Sequence, residues 1–185
     1  MNPELEMNLL RRQNVGDSLR RAAQAAGDKP AIIFYTTDGA AETHSYAQLN
    51  ALVNTVANNL LRRGVKKGDR VAALSRNNVP FLALGYALHK IGAWLVPVNF
   101  MLNADEAGYI LRHAGAKMLA TDSGLAALGR AAAAKDTQVK RLLWLPAELP
   151  SEPIADALNF HRLAECGAAL KEPAIDRDAL LQIVY

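Results

Sequence analysis

RVAALSRNNVPFLALGYALHKIGAWLVPVN, residues 70–99, holds two short apolar runs around a longer one. RVAAL (70–74) and WLVPV (94–98) have the length and composition of buried strands. PFLALGYALHKIG (80–92) is long enough for a helix, and Pro80 sits where a first helical turn tolerates it. Strand, helix, strand at this spacing predicts a crossover between parallel strands. The rhythm continues downstream. Asn103 and Glu106 can cap each other and open a helix through His113. KMLAT (117–121) reads as a strand, Asp122 or Ser123 can cap a helix through Ala134, and RLLWL (141–145) is another strand. The fold class expected is α/β: a mostly parallel sheet flanked by helices on both faces.

Upstream the periods change. Asn14 can cap a helix whose apolar face is Val15, Leu19, Ala22, Ala23 and Ala26, closed by Gly27. AIIFYT (31–36), the turn signal Asp38-Gly39 and ETHS (42–45) predict a hairpin. Ser45 and Gln48 form an S-x-x-Q capping box ahead of Leu49, Leu52, Val53, Val56, Leu60 and Leu61. Asn50, Asn54, Asn58 and Arg62 lie on the other face, so only one side is expected to be buried, and Gly64 ends the helix. The sheet is thus preceded by a helix–β-hairpin–helix unit. Residues 1–65 form this unit and 66–185 the parallel α/β subdomain.

Pro146, Pro150, Pro153 and Pro173 interrupt the pattern between 146 and 178. This stretch is expected to be a surface excursion with one short helix near 156–163 or 163–170. LLQIVY (180–185) then reads as one more strand, pairing within the parallel sheet.

Hydrophobic residues make up 51% of the chain and charged residues 21%, which excludes a disordered polyelectrolyte. The net charge is +3, with basic residues in short pairs rather than one stripe, against a nucleic-acid binder. The single cysteine, Cys166, allows no internal disulfide and fits a reducing compartment. No signal peptide or membrane-spanning run is present. The expectation is a cytoplasmic protein with no transmembrane segment, for which peripheral membrane contact stays open.

Candidate chemistry is sparse. His44, His89, His113 and His161 are scattered, no metal-ligand spacing occurs, and no metal site is assigned. A G-x-S-x-G elbow and both glycine-rich phosphate motifs are absent. Gly124, at a helix start in DSGLAALG, fits a plain cap better than an anion site. No catalytic residue is assigned.

Three stretches together resemble the adenylate-forming superfamily of acyl- and aryl-CoA ligases, luciferases and peptide-synthetase adenylation domains. HSYAQLNALVNTVANNLLRRGVKKGDRVAAL (44–74) is similar to the family's T-Y-x-E-L helix and G-V-x-x-G-D-R-V turn, with Ser45 for Thr and Gln48 for Glu. LHKIGAWLVPVN (88–99) resembles the motif in which a helix ends in G-A and a strand in V-P-x-N. LLQIVY resembles the strand that precedes the phosphate loop T-S-G-[ST]-T-G-x-P-K-G. PVNFMLNADE (97–106) lacks the P-L-D-P-x-Y-P of peptide-synthetase domains and is closer to CoA ligases, with medium- to long-chain fatty acids favoured as substrate.

The resemblance implies the N-terminal part of an acyl-CoA synthetase large domain, stopping short of the phosphate loop. The parent would use ATP, Mg2+ and CoA to make an acyl-adenylate and then an acyl-CoA. The remainder of its own chain would be its main partner. Residues 1–185 alone would bind none of these cofactors and be inactive. Asn99, Phe100 and Met101, after the second-motif strand, are the candidates for the CoA channel. Lys90, near a helix end, is read as matching the helix dipole. The 49/53/56/60 face or the 31–36 strand is expected to be underburied, unless an oligomer covers it. An adenylating enzyme that loads a carrier protein and a stand-alone non-catalytic α/β binding module remain alternatives.

Overall fold

The structure is a computed structural model that describes residues 15–36, 38–146, 157–164 and 183–184. Helix α1 spans Val15–Ala26, and β1 (Pro30–Tyr35) and β2 (Ala41–Ser45) form an antiparallel hairpin. Next come α2 (Tyr46–Arg62), β3 (Arg70–Leu74), α3 (Val79–Ile91), β4 (Trp94–Pro97) and α4 (Ala104–Ala114). After β5 (Met118–Thr121) a 3-10 turn, Ser123–Leu125, leads into α5 (Ala126–Ala133). The last elements are β6 (Arg141–Trp144), β7 (Leu158–Asn159) and α6 (Phe160–Ala164).

The five strands β3–β7 are parallel and lie in the order β4-β3-β5-β6-β7. Alternation along each strand divides the core, because successive side chains point to opposite faces. Val71, Ala73, Met118, Ala120 and Leu143 meet α1, α2, α3 and α6 on one face. Ala72, Leu74, Val96 and Leu119 meet α4 and α5 on the other. Both faces are covered, which is why these strands read as continuous apolar runs.

The capping box at Ser45 forms as the sequence predicts. Gln48 N–H donates to Ser45 Oγ at 3.2 Å, and Ser45 N–H donates to the Gln48 side chain at 2.9 Å. Ser45→Ala should therefore lower stability by about 1 kcal/mol. Urea denaturation checks this, and an unchanged midpoint would remove the cap from the argument. In the hairpin turn the Thr36 hydroxyl and the Ala40 amide donate to Asp38, holding its carboxyl below the ordinary aspartate range.

Three expectations need correction. Leu49, Val53, Val56 and Leu60 are not underburied: they are 3%, 0%, 0% and 0% exposed. Helix α2 packs on α1, α3 and α6, so this chain covers the face itself. The 31–36 strand does stand out, with Ile33 54% and Tyr35 70% exposed. In α1 the buried positions are Gly16, Asp17 and Leu19, whereas Val15 is exposed. The rest of the expected face holds, with Leu19 buried and Ala22, Ala23 and Ala26 half-buried. Gly16 lies against the backbone of Lys90, so close approach of α1 to α3 adds Gly16 and Asp17 to it. Lys90 is 1% exposed rather than a solvated helix-end charge, and its Nζ donates to Asn50 and Asn54 Oδ1 at 2.6 Å each. The supposed outer face of α2 is in part a contact with α3.

The excursion after Pro146 does contain a short helix, α6, but preceded by β7, whose two residues pair with Leu143 and Trp144. Asn14, residues 180–182 and Tyr185 lie outside the described residues. Ile183 N–H donates to Leu95 O at 3.0 Å, so Ile183 meets the sheet at β4.

Candidate functional site at the carboxyl ends of the strands

In an open parallel sheet, ligands bind beyond the carboxyl ends of the strands, where the connections diverge. Here β4 lies on one side of β3 and β5 on the other, so the divergence falls between β3 and β5. Ser75–Asn78 leave β3 at that point, and Asp122–Leu125 leave β5.

Asp122 fills the crevice. It is 1% exposed, and its carboxylate accepts from Leu125 N–H at 3.0 Å and Arg76 N–H at 3.1 Å. Ser75 Oγ approaches at 3.4 Å and in turn accepts from Asn78 Nδ2 at 2.9 Å. Asn78 Oδ1 takes Phe81 N–H at 2.7 Å and so caps α3. Trp144 Nε1 donates to Ser123 Oγ at 2.9 Å, bringing the end of β6 into the same group. The Leu125 amide after β5 and the Arg76 amide after β3 are therefore occupied by an internal carboxylate. Gly124 takes part in a capped turn, as the sequence suggests.

What faces outward is cationic. The Arg76 side chain is 58% exposed, its guanidinium nitrogen 3.8 Å from Asp122 Oδ1 and its carbon 5.7 Å from the centre of the Phe100 ring. The contact joins the β3 loop to the candidate stretch after β4. Asn99 accepts Met101 N–H at 3.0 Å, and its carbonyl accepts from Leu102 N–H at 3.2 Å, closing a turn. That turn holds Phe100 at 42% and Met101 at 81% exposure. Beside it a groove of about 540 Å³ runs along α4, lined by Pro97, Asn99, Leu102, Glu106, Tyr109 and Ile110. Asp105 on the same helix pairs with Lys135 at 2.7 Å, and this lysine's hydrogen bond and charge hold its carboxyl below the ordinary range.

Of the sequence candidates, Phe100 is brought to a cation, Met101 to solvent, and Asn99 to a structural turn. Arg76 went unnamed, and Asp122 was named as a helix cap, which it is, but not as a site residue. Their signal was available: each is the first or second residue after a strand beside the divergence point. Among the described residues no three His, Cys, Asp or Glu side chains gather to hold a metal ion, and no helix is long and apolar enough to cross a membrane.

The profile of the family described as AMP-binding enzyme matches residues 19–185. The chain belongs to the AMP-binding enzyme family. It is 28% identical over 180 residues to a crotonobetaine/carnitine–CoA ligase of Salmonella paratyphi A, covering 97% of this chain and 35% of that protein. It thus spans about a third of the length of that curated relative. Among solved structures it resembles a Mycobacterium tuberculosis fatty acyl CoA synthetase at 34% identity and TM-score 0.75, over 93% of this chain and 32% of that one. The N-terminal domain of FACL13 from the same organism is 32% identical with TM-score 0.73, over 92% and 41% of the two chains.

Proposed function

We propose that this chain forms the first third of an ATP-dependent, AMP-forming acid–CoA ligase, with a medium- or long-chain fatty acid as substrate. The observation that carries the reading is the family match across nearly the whole chain, joined to a parallel sheet whose strand ends are internally capped. Such a sheet supplies a rigid wall rather than the reacting groups. Nucleophilic attack of a carboxylate on the α-phosphate of ATP, and then of a thiol on the acyl-adenylate, needs positive charge and hydrogen-bond donors aimed at developing oxyanions. The occupied Asp122 turn leaves those donors to be provided outside residues 1–185. The exposed surface of Phe100 and Met101, with the Arg76 guanidinium beside it, fits an approach path for the pantetheine arm of CoA. Asn99 shapes that path by holding the turn. Similarity to a fatty acyl CoA synthetase supports the acid class, and the carnitine-type relatives define the competing one. A cytoplasmic location fits this chemistry.

The open reading frame that encodes this chain, expressed to its stop codon, provides the test. With ATP, Mg2+ and CoA it should release pyrophosphate and form acyl-CoA from octanoate or palmitate faster than from carnitine or benzoate. Residues 1–185 alone should show no Mg·ATP binding by calorimetry. Preference for carnitine would replace the fatty-acid assignment. Submillimolar Mg·ATP binding by the 185-residue chain would overturn the view that its strand ends lack a nucleotide cradle.

A further inference from the structure

The opposite end of the sheet, where the strands begin, has a different character. Helix α2 ends there at Arg62, followed by Arg63 and Gly64, and β6 starts there at Arg141. A groove of about 810 Å³ lies between them, rimmed by Arg62, Arg63, Lys140 and Arg141. Its floor is aliphatic, formed by Ala133, Val139, Leu142 and Leu158. The Arg141 guanidinium donates to the Arg63 carbonyl, which ties the two rims together. Among the described residues no carboxylate forms an ion pair with Lys140 or Arg141.

The groove sits within a wider basic face. The connections at this end hold five Lys or Arg in 62–70, one in 115–117 and two in 136–141, against only Asp69 and Asp136. The rest of the chain then carries thirteen basic and sixteen acidic residues, so a modest net charge hides a polarity. Cations at helix carboxyl ends offset the helix dipoles, and Arg62 has that role. Lys66, Lys67, Lys140 and Arg141 lie in turns or at a strand start, where no dipole calls for them.

We infer that this end of the molecule docks on an anionic lipid surface, with the groove taking the phosphate diester of one headgroup. Long basic side chains keep their charges in the phosphate layer while their stems lie over apolar surface, and the aliphatic floor fits the glycerol and first methylenes. Among the described residues that line the groove there is none of the aromatic side chains on which nucleic-acid bases stack. The inference stands on the charge distribution and the groove's lining and is independent of the ligase assignment. It would place the ligand end, at the other edge of the sheet, facing away from the bilayer.

Flotation with vesicles tests it. The 185-residue chain should bind vesicles of phosphatidylcholine with 30% phosphatidylglycerol and not pure phosphatidylcholine, with affinity falling as salt rises. Each basic residue near such a surface contributes about fivefold. Arg62→Glu/Lys140→Glu should weaken binding at least about tenfold, and the milder Lys140→Gln about fivefold. Arg21→Glu/Lys29→Glu makes the same charge change away from the groove and should stay within about twofold. Equal losses in the two double variants would overturn the inference. So would equal binding to neutral vesicles, displacement by 1 mM inorganic phosphate at constant ionic strength (a free-phosphate site), or tighter binding to duplex DNA than to the anionic vesicles.

Discussion

Lys90→Ala should destabilise the chain by about 3–5 kcal/mol, the combined cost of two amide oxygens left without their donor and of the cavity left by the buried stem. Lys90 is 1% exposed on α3, and its ammonium is held by Asn50 and Asn54 of α2, with Gly16 of α1 against its backbone. Truncation to alanine leaves two amide oxygens without their donor and opens a cavity where three helices meet. Lys90→Met separates these causes. It keeps the stem, removes the charge that had to be desolvated, and should lose less than half as much. Urea melts of both variants decide the matter. An equal loss for Met and Ala would show that the hydrogen bonds dominate, and a negligible loss for Ala would remove Lys90 as the clasp between α1, α2 and α3.

Asp122→Ala should cost about 3 kcal/mol and disturb the candidate site at the same time. The carboxylate serves Leu125 N–H and Arg76 N–H, both near the floor of the crevice, and Ser75 Oγ stands close by. Removing it leaves buried donors unmade, each an expensive loss, and uncaps the turn before α5. Asp122→Asn keeps one acceptor oxygen and the shape, so about half of the stability should return. The Arg76 guanidinium, 3.8 Å from the carboxylate, loses its counter-charge in either variant. Hydrogen exchange at Arg76 and Leu125 provides the local readout. Protection unchanged in Asp122→Ala would show that the β3 and β5 loops are held by something else.

These two residues mark where sequence reading runs out. The capping boxes at Ser45 and Asn103 were legible because both partners lie within one turn of each other. Strand and helix order was legible because buried parallel strands are continuously apolar and their crossover helices are long. Burial of the Leu49–Leu60 face was missed. Whether an apolar stripe is covered depends on which helices come beside it, and periodicity does not carry that information. The two-residue β7 was missed because so short a strand has no period, and only its neighbours in β6 define it.

Local chemistry thus determined the parallel α/β layout, the caps and the family likeness, because each is written in neighbouring residues or ordered motifs. Tertiary structure alone decided three things. It buried Lys90 against asparagines 36 and 40 positions away. It closed the divergence point with Asp122, 46 residues from the Arg76 amide it accepts from. It brought Arg62–Arg63 and Lys140–Arg141 together at one end of the sheet. The reason is common to all three: parallel strands separated by crossovers bring together residues far apart in sequence, and the electrostatics of those meetings exist only after the sheet has formed.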